Sequence, residues 1–443
     1  MAEVTPIRTA AETALLDLFP AVRARLPGGA RAADEREKAI AAFGETGLPH
    51  RRVEAWKYTD LRALLREAAP LAPAPGPAEK AAAGKLASPV GRIDAIRLVL
   101  VDGAFAPELS DLNRTPAGVE VVSFAEALGK DHSVLAVHLG SALRGVEDPL
   151  VSLNTAFATD GVVVRIAEDA VLSRPLLIRS VATGETPTAT FLRTLVVVED
   201  NAEATIIESH EGVSGVAHQA NSLVELVIGD GAKVHHVRLR TQGAGDLDLS
   251  TLGVRLGGRA NFRHFSTATA PEVARHQITL RFAGEYSEAT LAGSALLNGS
   301  QHGDTTLVVE HAAPHCTSRE LFKHVLDGEA TGVFQGKIIV EPDAQKTDGR
   351  MMSQAVLLAD GSAMNNKPEL EIFADDVQCA HGATCGALDE DLLFYLRARG
   401  LPKAEAEALM LQAFVGEAIE TMEHEGLREV VESVVESWLR CRV

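Results

Sequence analysis

The amino-acid sequence predicts a mainly β protein in which a stack of short strands lies between an N-terminal and a C-terminal helical region. Three observations support this fold class. Residues 1–67 and residues 387–443 carry apolar residues at the three-to-four spacing of helices. From residue 154 to residue 386, short strand-like segments alternate with Asp, Gly and Asn turns. Within that core, one short pattern recurs at nearly constant spacing.

The N-terminal region is predicted to contain helices over Ala10 to Leu18 and over Asp34 to Phe43, where good helix formers are combined with apolar residues at helical spacing. The chemistry of residues 50–65, HRRVEAWKYTDLRALL, says little by itself. We interpret Trp56 and Tyr58 as packing anchors, because large aromatic side chains contribute most to cores.

Residues 68–153 are interpreted as a linker followed by a mixed α/β segment. Residues 68–92 are rich in Ala and Pro, which is typical of a solvated linker or an irregular excursion. A short apolar strand is predicted at Ile96 to Val101. Helices are predicted at Phe124 to Leu128 and near Val134 to Leu143.

The recurring pattern of the core is an apolar residue, a polar turn, an alanine and then a new strand. It places Ala170, Ala202, Ala232 and Ala260 at separations of 32, 30 and 28 residues, and later copies at Ala330 and Ala363 are 33 residues apart. One such unit is too small to bury its own apolar face, so neighbouring copies should stack. The lack of long helices between strands favours a β-helix or a stacked β-sandwich over βαβ units.

The chain is predicted to become helical after residue 386. Asp389 lies in a first turn, where negative charge is favourable, and Gly400 fits a helix stop. Further helices are predicted from Lys403 to about Glu423 and over Leu427 to Leu439. The last of these has one apolar stripe, which either packs within the chain or docks a partner.

Composition excludes several classes of function. The 443 residues suggest two or three domains, and the net charge of −19 argues against a nucleic acid or an anionic membrane as partner. The sequence has no apolar run long enough to span a bilayer, and its N-terminus lacks the features of a secretory signal. Four cysteines without a CxxC motif predict no disulfide framework and a reducing, cytoplasmic location.

The common catalytic motifs are absent from the sequence. It contains no GxxxxGK[ST], GxGxxG, HExxH or GxSxG motif, so we expect neither ATP hydrolysis nor dinucleotide binding by the usual devices. An energy-requiring role would need a separate ATPase. A β-helix enzyme that acts on carbohydrate would need clustered carboxylates, whereas the acidic residues here fall mainly at turns.

Cys379 and His381 are the strongest candidates for a metal site. If their segment is extended, both side chains point to the same face. A thiolate beside an imidazole suits iron or another thiophilic metal, but two ligands do not close a site. The alternative is that Cys379 is a small buried apolar residue and that His381 is a hydrogen-bonded histidine.

A second polar cluster contains His302, Asp304, His311, His315 and Cys316. These residue types could bind a transition metal. They are, however, spread over a predicted strand and turn, so most should face different sides. We favour a structural role for this cluster.

Two stretches about 300 residues apart carry distinctive strings. Between Pro368 and Gly400 the sequence reads PELEI, DDV, CAHGAT and FYLRARG in order, and Arg52 to Leu61 reads RVEAWKYTDL. These strings resemble motifs of the SufB/SufD family, subunits of the SUF machinery for iron–sulfur cluster assembly. SufB usually carries a Glu-His pair near the position of His381, where this chain reads His-Gly, so the resemblance favours the SufD branch.

The resemblance implies a right-handed parallel β-helix core and a non-catalytic subunit. The subunit would pair edge to edge with SufB, or with a second copy of itself when alone. The partner ATPase SufC would dock on the C-terminal helical region. The candidate contacts are Leu388, Phe394, Tyr395, Arg399 and Gly400.

The resemblance also places Cys379 and His381 at an iron or cluster site shared with SufB. SufB typically has a cysteine where this chain has Ala355, so this chain should hold no complete cluster alone. The iron–sulfur cluster would be transient, with further ligands from SufB. No nucleotide is expected on this chain, and a flavin only on the complex. The alternatives are a purely structural adaptor without a metal ligand, or a SufD-like homodimer.

Overall fold

Two β-sheets, each built mainly from parallel strands, face each other at the centre of the molecule. The computed structural model describes residues 8–213, 215–241, 243 and 245–441. It shows a parallel β-solenoid of about eight turns with helical regions at both chain ends, which confirms the predicted mainly β fold. The domain boundaries placed after residues 67, 153 and 386 stay predictions. Among the described residues, no helix is both long and apolar enough to cross a bilayer.

The helices flank the solenoid at its two chain ends. Their bounds are α1 (Ala10–Val22), α2 (Ala30–Thr46), α3 (Leu61–Leu64), α4 (Pro77–Lys85), α5 (Phe124–Gly129), α6 (Ser133–His138), α7 (Pro149–Phe157), α8 (Glu390–Ala398), α9 (Lys403–Ile419) and α10 (Glu425–Cys441).

The strands alternate between the two sheets. Their bounds are β1 (Ile96–Val101), β2 (Ala104–Phe105), β3 (Val119–Ser123), β4 (Val162–Ile166), β5 (Leu176–Ala182), β6 (Ala189–Val198), β7 (Glu203–Gly212), β8 (Gln219–Ile228), β9 (Lys233–Arg240), β10 (Leu247–Leu256), β11 (Asn261–Ala268), β12 (Val273–Phe282), β13 (Glu288–Leu297), β14 (His302–His311), β15 (Thr317–Leu326), β16 (Thr331–Val340), β17 (Asp348–Leu357), β18 (Ala363–Ile372) and β19 (Gln378–Gly386).

Each turn of the solenoid adds one strand to each sheet. The ten-stranded sheet has the order β19-β17-β15-β13-β11-β9-β7-β5-β1-β2, and the nine-stranded sheet has the order β18-β16-β14-β12-β10-β8-β6-β4-β3. From β5 and β4 onward all pairs are parallel, whereas β2 and β3 pair antiparallel at one end. Both β18 and β19 lie at the opposite end, where each has one neighbour in its sheet.

The recurring alanines occupy one corner of the solenoid. Ala202, Ala232 and Ala260 are almost fully buried immediately before β7, β9 and β11. The residue before each of them has a positive φ, which explains the Asn and Gly at 201 and 231. Ala330 and Ala363 instead lie at the start of β16 and β18, at the opposite corner, so they are not copies of the same position.

The segment predicted as a solvated linker contains regular structure. Helix α4 begins with Pro77 after Gly76, and the Glu79 carboxylate accepts from the Gly76 amide at 2.9 Å. Leu71 forms a parallel bridge with Ala189. The alanines that looked like linker composition are therefore helix formers here.

The interior of the solenoid holds a buried polar network among its apolar columns. The His236 Nε2–H donates to Glu208 Oε1 at 2.8 Å, and its Nδ1 lies 2.9 Å from Nδ1 of His264. Burial acts to raise the pKa of Glu208, but hydrogen bonds from His210 and His236 hold it well below its usual value. Glu208 therefore stays ionised in the interior, where it is paired with histidines.

A second buried ion pair completes this network. Asp248 accepts from Arg238 at 2.7 Å, and both side chains are almost fully buried. Although burial opposes ionisation, Arg238 and Arg240 lower the pKa of Asp248 to about 2. The pair therefore stays charged across the physiological pH range.

The outer faces of the two sheets are covered by different parts of the chain. Apolar residues of α9 and α10, such as Leu411 and Val431, pack on the ten-stranded sheet around Val237 and Phe265. Helices α1, α2 and α7 pack over the early strands of the nine-stranded sheet. The amphipathic stripe predicted near the C-terminus is therefore occupied by packing within the chain.

The string at residues 52–61 clamps the N-terminal region onto the nine-stranded sheet. The Arg275 guanidinium lies 3.7 Å from the Trp56 ring centroid and donates from Nη2 to the Ala55 carbonyl at 2.8 Å. Arg275 is paired with Asp304, which also accepts from the Thr59 hydroxyl. Neither side chain of the Arg275–Asp304 pair is exposed. Trp56 is a packing anchor, as predicted.

Replacement of Asp304 by Ala should therefore destabilise the protein. It leaves the Arg275 charge buried without its partner, so the free energy of unfolding should fall by about 3–5 kcal/mol, as measured by urea denaturation. The matched control is Asp343→Ala at an exposed turn, which should change the unfolding free energy by less than about 0.5 kcal/mol. Equal stabilities of the two variants would contradict the clamp.

Candidate functional site at the open end of the solenoid

The last two strands leave one end of the solenoid open. Among the described residues no strand pairs with the outer edge of β18 or of β19. Most residues of both strands are half-buried or exposed, unlike those of the strands beneath them. Ile372 and Phe373 add exposed apolar surface at this end, 41% and 62% accessible. Unpaired edges next to exposed apolar groups are typical of a binding surface.

Cys379 and His381 lie on β19 and point toward the solenoid interior. Cys379 is in register with Gly349, and His381 with Met351, one turn earlier. Met351 belongs to the interior core, so the same face of β19 looks inward. Because no further turn covers them, Cys379 is only half-buried and His381 is exposed. The predicted common face is observed, and both groups are accessible from the open end.

The surroundings of Cys379 keep its thiol protonated. Burial raises the pKa of Cys379, and the carboxyl groups of Asp348 and Glu320 add to this effect. The residue below is Gly349, which has no side chain to fill the space under the thiol. The His381 ring makes no hydrogen bond to another described residue. A thiol and a free imidazole are therefore available together.

Cys385 is too far along the strand to share an ion with Cys379. Six residues in an extended strand span about 20 Å. Cys385 is exposed and lies in register with Ala355, which is buried beneath it. The end of the solenoid thus presents one Cys–His pair and one separate thiol.

The predicted cluster at residues 302–316 is divided among four places. His302 lies 2.9 Å from the Thr59 hydroxyl, and Asp304 belongs to the clamp with Arg275. His311 stacks inside the solenoid on Phe282, with ring centroids 4.4 Å apart. These are structural contacts.

The other two members of the cluster lie at a solenoid corner. His315 has a positive φ and stacks on Tyr286, and Cys316 takes the buried position that alanine holds in other turns. Within the described ranges no group of three or more His, Cys, Asp or Glu residues is arranged to hold a metal ion. The structural interpretation of this cluster accounts for all five residues.

Helix α8 presents the residues predicted to bind a partner. None of its residues is buried, and Phe394 and Tyr395 are 74% and 49% accessible. The Arg399 guanidinium lies 4.1 Å from the Tyr395 ring centroid, and Gly400 ends the segment with a positive φ. Leu388, in contrast, is half-buried and packs against the core beneath the C-terminal helices.

A buried lysine joins the C-terminal helices to the turns near the open end. Lys323 on β15 is 1% accessible, and its ammonium contacts both Gln354 on β17 and Glu417 on α9. The same group lies 4.5 Å from the Phe414 ring centroid. A displacement of α9 would therefore act directly on β15 and β17, the strands that support β19.

Sequence reasoning missed this lysine contact and the N-terminal clamp. Both join residues far apart in the chain, such as Ala55 and Arg275 or Lys323 and Glu417. No local sequence pattern predicts such pairs. The only signal in the sequence analysis was the resemblance of the string around Trp56 to the same family.

Comparison with known proteins gives a matching family model for each half of the chain, and both models describe the same family. A model described as the SufBD core domain of the SUF system of iron–sulfur cluster assembly matches residues 180–414. A model of the SufBD protein N-terminal region matches residues 9–178.

Individual relatives extend over most of the chain. An iron–sulfur cluster assembly SufBD family protein of Synechocystis is 32% identical over 404 residues, covering 87% of this chain and 86% of its own length. The iron–sulfur cluster assembly protein SufD of Escherichia coli is 28% identical over 408 residues, covering 91% and 92% respectively. A SufBD family protein of Mycobacterium tuberculosis is 31% identical over 247 residues, 54% of this chain and 61% of that protein.

The burial of the cysteines predicts their order of alkylation. At pH 7.5 iodoacetamide should modify the exposed Cys385 before the half-buried Cys379, and Cys316 only after unfolding. Burial raises the pKa of Cys379, so its rate should rise about tenfold per pH unit below that pKa, since the thiolate is the nucleophile. Peptide mass spectrometry measures each site. A fast, pH-independent reaction of Cys379 at pH 7 would contradict its protonated state.

Proposed function

Because this chain belongs to the SufBD family of iron–sulfur cluster assembly proteins, as a SufD homologue, we propose that it is a non-catalytic subunit of an assembly scaffold. In this proposal SufB pairs with the open end of the solenoid, and the ATPase SufC docks on the C-terminal helical region. Iron and sulfide are the cargo, and the cluster is transient.

One observation carries this proposal, namely the difference between the two ends of the solenoid. At one end antiparallel β2 and β3 terminate the sheets, whereas β18 and β19 end the other with free edges. A free edge of nine or ten residues offers backbone hydrogen-bonding groups to a strand of another chain. The partner that fits best is a second solenoid with its own terminal strands, as SufB or a copy of this chain would provide.

The pairing would place the Cys–His pair at the shared interface. Cys379 and His381 would supply a sulfur and a nitrogen ligand, a combination that suits iron. The remaining ligands would come from SufB, since two ligands do not hold an ion by themselves. Binding would release the Cys379 proton, so the affinity for iron should increase with pH.

The C-terminal region would carry the energy-dependent step. The exposed face of α8, with Phe394 and Tyr395, is our proposed contact for SufC. Movement of the helices by SufC would be transmitted through Lys323 to β15 and β17. These strands lie under the Cys–His pair, which links nucleotide-driven motion to the interface.

Replacement of His381 by Ala should reduce cluster formation without loss of the complex. In a complex reconstituted with SufB and SufC under anaerobic conditions, the cluster absorbance should fall at least about tenfold, since loss of even a residue that only hydrogen-bonds to a metal ligand lowers metal affinity about 10- to 100-fold. Size-exclusion chromatography should show an intact complex. The control is His315→Ala, because His315 is an exposed imidazole at a solenoid corner, away from the Cys–His pair.

An unchanged cluster yield in His381→Ala would contradict the ligand role. That result, with the complex intact, would favour the purely structural adaptor. Formation of a stable homodimer in the absence of SufB would favour the other alternative, a SufD-like homodimer.

Replacement of Phe394 by Glu should weaken SufC binding. A charge at the centre of an apolar contact costs about 2 kcal/mol or more, which is at least about 30-fold in affinity. Stability should change by less than about 0.5 kcal/mol, because α8 has no buried residue. Calorimetry with SufC measures the affinity, and Val137→Glu at an exposed site of α6 is the control. Equal affinities of the two variants would exclude α8 as the contact.

A further inference from the structure

A cleft of about 370 Å³ lies in the N-terminal half, away from the open end. It is bounded by α2, α5, α6 and α7 and lined by apolar side chains. Its volume is in the range of small-molecule sites. The apolar lining is mainly aliphatic and includes Leu128, Leu135, Leu139, Leu143 and Val151.

Two arginines are the buried charged residues of this cleft, whereas the charged side chains of Arg31, Glu35 and Asp131 line it from exposed positions. Arg36 and Arg193 both line it, although they are only 5% and 6% accessible. The Arg36 Nη groups donate to several backbone carbonyls. Two of these carbonyls, those of Ala156 and Ala158, accept at 2.9 Å. The Arg193 Nη groups donate to the Thr155 hydroxyl at 3.0 Å and to the Glu225 carboxylate at 2.6 Å.

The two guanidinium groups are incompletely neutralised. Only one of them has a carboxylate partner, Glu225, so one buried positive charge has no direct counter-charge. The Nε–H of Arg193 has no acceptor among the described residues, and the Nε of Arg36 donates to none of them either. Burial, together with the nearby charge of Arg193, lowers the pKa of Arg36 to about 10. Buried donors and charges of this kind are costly unless an anion meets them.

We propose that this cleft binds a small molecule that carries one carboxylate on an alkyl chain. The carboxylate meets the arginine pair, and the chain lies between the helices against the aliphatic side chains. The site is independent of the Cys–His pair and of the contact with SufC. It therefore adds a ligand to the function proposed above.

The choice of a carboxylate follows from the charge in the cleft. A cationic head would place a third positive charge beside the two buried guanidinium groups, which is unfavourable. The choice of an alkyl chain follows from the leucines, which outnumber Phe124, the only aromatic residue among those that line the cleft.

The test uses decanoate as probe and decylammonium as its matched comparison. Isothermal titration of the full chain below the micellar concentrations should show decanoate binding at least about tenfold tighter than decylammonium, since the two have similar alkyl chains and head groups of opposite charge. Equal affinities, or no decanoate binding at millimolar concentration, would overturn the proposal.

A substitution locates the bound probe. Ala136 on α6 lines the cleft and is exposed, so Ala136→Trp should fill the space and weaken decanoate binding at least about tenfold. The adjacent Val137 is 69% accessible and does not line the cleft, so Val137→Trp should leave the affinity within about twofold. Equal decanoate affinities of the two variants would place the probe elsewhere and overturn the assignment.

Discussion

Residue-for-residue pairing between successive turns is the constraint on which this structure depends. From β5 onward, register partners on neighbouring strands of the ten-stranded sheet are 27 to 31 residues apart, and the side chains of each strand face the same way as those of the strand beneath. Met351 is buried, so His381 above it also faces inward. The exposure of the Cys–His pair therefore depends on where the stacking of turns ends as much as on the two residues themselves.

The buried charges make this register specific. Arg238 on β9 pairs with Asp248 on β10 across the interior between the two sheets, and Arg240 pairs with Asp246 in the connection just before β10. A slip of one residue in any of these strands would turn a charged side chain outward and leave its partner buried alone. Apolar columns tolerate exchange of similar residues, whereas these pairs do not. These charge pairs thus fix the register of their own strands, and the strands that follow are aligned on them.

Much of the fold could be predicted from the sequence because its signals are local. The turn residues and corner alanines reveal the period, and the predicted strand at Ile96–Val101 has the limits of β1. Predictions from local patterns were wrong where a long-range contact or a helix cap determines the structure. The Ala- and Pro-rich composition indicated a linker in the segment where α4 forms. Helix α6 ends at His138, before the predicted limit of Leu143.

The candidate site was predictable only in part for the same reason. Alternation along a strand predicts that Cys379 and His381 share a face, but their exposure depends on which strand is last. The histidines at 302 and 311 looked like ligands because residue type carries no information about partners such as Thr59 or Phe282. The arginine cleft has no sequence signal, since α2 and β6 are far apart in the chain.

The antiparallel strands at the start of the solenoid have a consequence for how many copies can join. A chain that adds to β18 and β19 in the same way leaves its own β2 and β3 facing outward, and these short reversed strands offer no parallel template. In such a pair the free edges of β18 and β19 would be covered, so no parallel edge among the described strands would remain for a third copy. Unlike a repeat protein with two bare ends, a pair built in this way would not extend into a filament through its sheet edges.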